Sequence, residues 1–84
     1  MTRIDVCIAT YKRPALLRKL LQSLANQHLP KDVVLRLIVV DNDARGSARD
    51  CVDQMSAVLP IRYMVEPTKG LSFVRNRALS AALE

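Results

Sequence analysis

Thr10 and Tyr11, Asp41, and Arg75 offer a hydroxyl, a phenol, a carboxylate and a guanidinium, the first three at the ends of apolar runs. Together they suit a nucleoside. An acid at position 41 can accept the imide N–H of a uracil or thymine base, while Tyr11 stacks on or flanks that base. Thr10 can bond a ribose or base edge through its hydroxyl or backbone, and Arg75 is long enough to reach the same pocket from the far side. Each residue also has a plain structural use. Asp41 can be a turn-forming Asx residue, Tyr11 a half-buried edge aromatic, and Arg75 a solvated helix charge.

The elements that must position these groups alternate along the chain. "RIDVCIAT" predicts a strand over about 3–10, and "PALLRKLLQSLANQ" a helix over about 14–27. Pro14 suits a first helical position because it has no N–H to leave unpaired. Leu16, Leu17, Leu20, Leu21 and Leu24 fall on one face. "VVLRLIVVD", a strand over about 33–41, is nearly continuously apolar, as for a strand covered on both faces. Ser47 is placed to cap a helix over about 47–59, with Asp50 in a capping-box position. The apolar face of that helix is Ala48, Cys51, Val52, Met55 and Val58 or Leu59. "IRYMVE" predicts a strand over about 61–66 and "LSFVRNRALSAALE" a helix over about 70–83. Three βα units joined by short loops argue for a parallel α/β sheet with right-handed crossovers. In such sheets ligands bind beyond the carboxyl ends of the strands. Those ends are Thr10-Tyr11, Asp41-Asn42-Asp43 and Glu66-Pro67, where three helix N-termini also point their unpaired N–H groups.

The totals exclude several classes. With 84 residues, half of them apolar and a quarter charged, the chain reads as one globular domain or a piece of one. A chain this short buries only about 60–65 % of its unfolded surface, so its stability is modest. No apolar run approaches the roughly 18 residues that span a bilayer, and "MTRIDVCIATYKRP" reads as a cytosolic start without a cleavage pattern. Cys7 and Cys51 are expected to be reduced, small and mostly buried. With His28 as the only histidine, they make no zinc site. The net charge of +5 admits an anionic partner, but the cations are scattered and only three aromatics could stack on bases, which disfavours nucleic acid.

The first strand-to-helix turn, "TYKRPA", carries no glycine. A bulky turn would hold a dinucleotide's pyrophosphate away from the first helix, although Asp41 lies about where the ribose-binding acid of such proteins belongs. A phosphorylation receiver would need acids ending the first strand, which here ends Ala9-Thr10.

"VCIATYKRPALLRKLLQSL", "LIVVDND" and "EPTKGLSFVRNRAL", in this order and spacing, resemble the start of family 2 glycosyltransferases of the GT-A fold. The resemblance spans essentially the whole chain. It rests on the three stretches together, since "TYKRP" and "VVDND" alone are weak. It implies the Rossmann-like, nucleotide-sugar-binding sheet of that fold, strand order 3-2-1, incomplete, with residues 1–84 as its N-terminal half. Thr10, Tyr11 and Asp41 would hold the nucleoside of a nucleotide-sugar, commonly UDP-linked, and Arg75 would approach the base or phosphates. Arg13, Asp43, Lys69, Gly70 and Asn76 match the surrounding motifs. A base and ribose laid across the rim need no glycine cradle.

The resemblance further implies an inverting enzyme that transfers the sugar to an acceptor hydroxyl. Such an enzyme uses a divalent metal, manganese or magnesium, held after a fourth strand, and a later carboxylate as general base. Neither motif occurs among these residues, and "DND" at 41–43 follows the second strand, so no metal is assigned to side chains of this segment. The segment alone is therefore expected to be inactive, and the first strand's open edge is expected to favour self-association. The resemblance places the protein in the cytoplasm and allows a full-length parent to sit at the inner face of a membrane. The alternative is a stand-alone, non-catalytic nucleotide-binding or interaction domain.

Overall fold

The computed structural model describes residues 2–83, without the side chain of Leu71. Its architecture follows from the second strand, β2 (Val33–Asp41). Leu37, Ile38, Val39 and Val40 are all fully buried, so neither face of β2 can meet water. Alternate side chains leave a strand in opposite directions, which obliges apolar cover above and below.

β2 is paired in parallel on both sides. β1 (Thr2–Thr10) runs in register from Thr2 opposite Val33 to Thr10 opposite Asp41. β3 (Ile61–Val65) runs from Ile61 opposite Leu37 to Val65 opposite Asp41. The order is β1-β2-β3, the expected 3-2-1 read from the other edge. Helices alternate with the strands: α1 (Pro14–Ala25), α2 (Arg49–Met55) and α3 (Leu71–Ala82). The chain is thus an α/β protein with three parallel strands in one sheet.

Two cores flank β2. On one face Leu37 and Val39 pack with Leu17 and Leu21 of α1, with Cys51 and Val52 of α2, and with Ala48 and Leu59. On the other, Ile38 and Val40 meet Val74, Ala78 and Ala81 of α3. The small residues of α3 let that helix lie close to the sheet. Its C-terminal carbonyls, unpaired by the helix itself, receive N–H bonds from Arg36 at Ala81 (3.2 Å) and Ala82 (3.3 Å), and from Arg3 at Ala82 (3.4 Å). Arg36 is held by a two-pronged pair with Asp5 of β1, at 3.1 and 3.0 Å.

Four expectations are corrected. Cys7 is exposed, while Cys51 is buried. β1 is the sheet's edge, and α3 centres on β2, leaving the α3 side of β1 poorly covered. The five-leucine face of α1 is wider than its seat: Leu17 and Leu21 are buried, but Leu16 and Leu20 stay 58 % and 44 % exposed. Ser47 does not cap α2. That helix begins at Arg49 with Ala48 as N-cap and no side-chain cap from the N-cap residue, because another element bonds its first turn, as described below. α2 also ends early, where Ser56 turns its hydroxyl back to the Val52 carbonyl at 2.8 Å.

Leu21→Ala should destabilise the chain by about 3 kcal/mol through a cavity beneath α1, and Leu16→Ala by no more than about 0.5. Urea denaturation followed by circular dichroism checks this, and equal losses would mean that α1 is seated on a different face.

Candidate functional site

At the carboxyl end of the sheet the strands continue into loops held by carboxylates and one amide. Asp41, the last residue of β2, is fully buried. Its Oδ1 accepts the Asp43 N–H at 3.0 Å, and its Oδ2 accepts the Ala48 N–H at 2.9 Å and the Tyr63 hydroxyl at 2.7 Å. The first bond is an Asx turn. The second serves the N-terminus of α2, where an anion is also favoured by the helix dipole. The third reaches across to β3. Burial, and then the bond to Asp41, raise the Tyr63 hydroxyl well above the ordinary phenol value. Arg49 of α2 lies over the Tyr63 ring, 5.2 Å from its centre.

Gly46 is required by this arrangement. Its φ of +69° is a left-handed conformation that disfavours side chains, and a Cβ there would stand 3.2 Å from the Tyr63 hydroxyl. Asp43 caps the same loop, accepting the Arg45 N–H at 3.0 Å. That bond and the Ser47 side chain hold its carboxyl below the ordinary 3.8.

Asn42 ties the next loop. Its Nδ2 donates to the carbonyls of Glu66 (2.7 Å) and Thr68 (3.0 Å), and its Oδ1 accepts the Gly70 N–H at 3.3 Å. Glu66 folds the same segment by accepting the Thr68 N–H at 3.1 Å and Arg77 Nε at 3.0 Å. These two interactions, the backbone one first, hold its carboxyl below the ordinary 4.5.

Tyr11 stands on the rim between two cations. The Lys69 ammonium lies 5.0 Å and that of Lys12 5.3 Å from its ring centre. They hold the phenol below its ordinary 10.0, Lys69 most strongly, and Lys69 is raised in return. The turn that presents Tyr11 is strained, since Lys12 has φ +49°, which costs a non-glycine residue about 1–2 kcal/mol. This is how a turn without glycine brings its cations to the sheet's rim.

Beside these residues a cleft of about 430 Å³ opens along the free side of β1, between α1 and α3. Thr10, Tyr11, Arg13 and Asn42 line its polar part, and Leu16 and Val74 are among its apolar walls. α1 lies on one face of the sheet and α3 on the other, so the cleft opens between the two layers at the carboxyl end of β1.

Of the residues singled out in the sequence, Thr10, Tyr11 and Arg13 meet in this cleft, and Lys69 joins them over Tyr11. Asp41 lies beneath the rim with its oxygens engaged, so a direct bond from a base would have to displace an internal donor. Asp43 is buried in the neighbouring turn, and Gly70 is bonded to Asn42. Arg75 is exposed on α3, outside the cleft's walls. Asn76 lines a separate cleft of about 300 Å³ with Glu66, Phe73 and Arg77. The sequence reading missed Asn42, Tyr63 and Gly46. The signals present were an amide between two acids and a glycine five residues after the strand's final aspartate.

Among the described residues no three or more His, Cys, Asp or Glu side chains gather as a metal site. Within "DND", Asp41 gives both oxygens to internal donors and Asp43 one of its own, so this stretch does not fit a divalent ion. No helix among the described residues is long and apolar enough to cross a membrane.

Parallel strands, alternating helices and a cleft of mixed lining at the strand ends define an α/β protein with its main opening at one sheet edge. Its sequence matches the pattern described as "Glycosyl transferase family 2" over residues 5–84, and the chain belongs to that family. It is also 41 % identical over 78 residues to the "Succinoglycan biosynthesis protein ExoM" of Rhizobium meliloti (strain 1021). That similarity covers 90 % of this chain and 25 % of the relative, so the chain spans about a quarter of its length.

Asp41→Ala strands two backbone N–H groups and the Tyr63 hydroxyl, and should lower stability by about 3 kcal/mol or more. Tyr63→Phe removes one donor and should lose only about 1. Denaturant midpoints check both, and an Asp41→Ala chain as stable as the parent would show that the buried bonds do not form. Acid should act through Glu66 and Asp43. Their folded values are depressed, so their stabilisation is complete above the ordinary 4.5 and 3.8 and is lost as pH falls through the lower folded values. A pH series of thermal melts should fall below about pH 5, less steeply in Glu66→Gln.

Proposed function

We propose that this chain is the nucleotide-diphospho-sugar-binding part of an inverting glycosyltransferase, which moves a sugar from a UDP-linked donor to an acceptor hydroxyl. The observation that carries the reading is the cleft beside β1. Its polar part is formed by Thr10, Tyr11, Arg13 and Asn42, and the Lys12 and Lys69 ammoniums flank Tyr11. A pyrimidine against Tyr11 leaves the cations for phosphate oxygens. Asp41 serves here by fixing the loops around the nucleoside, and Arg75 approaches from α3 when a ligand is bound. Asp43, Gly70 and Asn76 belong to the surrounding frame. The general base and any manganese or magnesium site are assigned to parts of the enzyme outside these residues, so the segment alone is inactive. Membership of family 2 and likeness to a biosynthesis protein support transfer chemistry over a purely binding role. We place the enzyme in the cytoplasm, its parent at the inner face of a membrane. We also propose that the isolated segment self-associates, because β1 has a strand on only one side.

Calorimetric titration of UDP, other nucleoside diphosphates and UDP-sugars into the longest available form, with and without manganese, tests this. UDP should bind in preference to purine diphosphates. Tyr11→Ala and Arg75→Ala should each weaken it about tenfold, equivalent to about 1.4 kcal/mol, and Lys19→Ala, on the outer face of α1, should change nothing. Indifference to the base would remove the nucleoside assignment. Sedimentation of the isolated segment at rising concentration checks the association.

A further inference from the structure

Resting on the nucleotide reading for its functional consequence, we infer that Asn42 is a positioning residue, whose amide locks the loop 66–70 so that Lys69 stays over the Tyr11 ring. The bonds bracket that lysine. Asn42 holds the carbonyl of Thr68, the residue before it, and the N–H of Gly70, the residue after it. A third bond, to the Glu66 carbonyl, anchors the start of the loop. Both Nδ2 hydrogens and one lone pair of Oδ1 are thereby used, so the amide has little left for a ligand although it lines the cleft.

The chemistry is particular to asparagine. Two carbonyls require two donors and one N–H requires an acceptor on the same short side chain. An aspartate would set oxygen against the Glu66 and Thr68 carbonyls, and a serine offers one donor. Little else holds the loop to the sheet. Pro67 has no N–H to give, and the backbone ties this segment to β2 through the Glu66 N–H on the Asp41 carbonyl at 2.8 Å. The Glu66 carboxylate secures Thr68 and Arg77, which fastens the loop to α3 rather than to the rim of β1. Losing the amide therefore frees Lys69 from Tyr11 while both cores stay intact. Lys12, on the turn of Tyr11 itself, remains in place.

The chain reports on this directly, because Tyr11 and Tyr63 are its only tyrosines. Tyr11 titrates below the ordinary phenol value and Tyr63 above it, so phenolate absorbance against pH should show two separate steps. The groups facing Tyr11 are Lys69 and Lys12. Asn42→Ala should move the lower step up toward about 10, Lys69→Met should do the same, and the double variant should move it no further. UDP affinity should weaken several-fold in each single variant and no more in the double. A folded Asn42→Ala whose lower step is unmoved, or shifts that add in the double variant, would overturn the inference. If Asn42→Ala does not fold, amide hydrogen exchange of the parent decides. Protection of the Gly70 N–H supports the lock, and open-chain exchange there refutes it. Parent chain that ignores UDP while the tyrosine steps shift as described would sink the nucleotide reading and leave the lock standing.

Discussion

A buried carboxylate is the constraint on which this molecule is organised. Asp41 closes the central strand, and without partners its charge would be prohibitively unfavourable inside the protein. Its partners come from three places: the turn that follows it, the first turn of α2, and a tyrosine on β3. Satisfying one group therefore fixes the exit of β2, the seat of α2 and the lateral position of β3 together. The same requirement dictates Gly46, since a side chain there would crowd the tyrosine hydroxyl.

Asn42 extends the logic by one residue. Its neighbour looks inward to the α2 side, and it looks outward to the loop before α3. Two consecutive polar side chains thus tie together both loops that leave β2 and β3, on opposite faces of the sheet. Polar networks of this kind specify one arrangement because half-satisfied alternatives are unfavourable. The rim that results is cationic around a single aromatic ring, with Lys12 and Lys69 both over Tyr11.

Much of the fold was legible because its signals are periodic. The apolar run of β2 announced a strand covered on both sides, and it is. The leucines of α1 announced a helix, and Pro14 marked its start. What the pattern could not convey was how far the cover extends. Leu16 and Leu20 share the apolar stripe with Leu17 and Leu21, yet the sheet stops beneath them, and Cys7 is exposed because α3, on the other face, centres on β2. The capping of α2 was misread because a local signal, Ser47, competed with a distant one. Asp41 bonds the Ala48 N–H from seven residues away, a partnership that no short window contains. Of the residues read at the strand ends, Thr10 and Tyr11 share a cleft with Arg13, and one plain alternative for Asp41, an Asx turn, is what the geometry displays. The work done by Asn42 was not legible, because an amide between two acids reads as solvated turn until the third strand folds back beside it.

The fastening of α3 has a mechanical outcome. Its far end is riveted to the sheet by Arg36 and Arg3, through the carbonyls of Ala81 and Ala82. Its near end is fastened as well, through the Gly70 N–H on Asn42, the Arg77–Glu66 pair and buried Val74. The helix is therefore a beam resting on two posts, and the wall it gives the aperture beside β1 is stiff along its length.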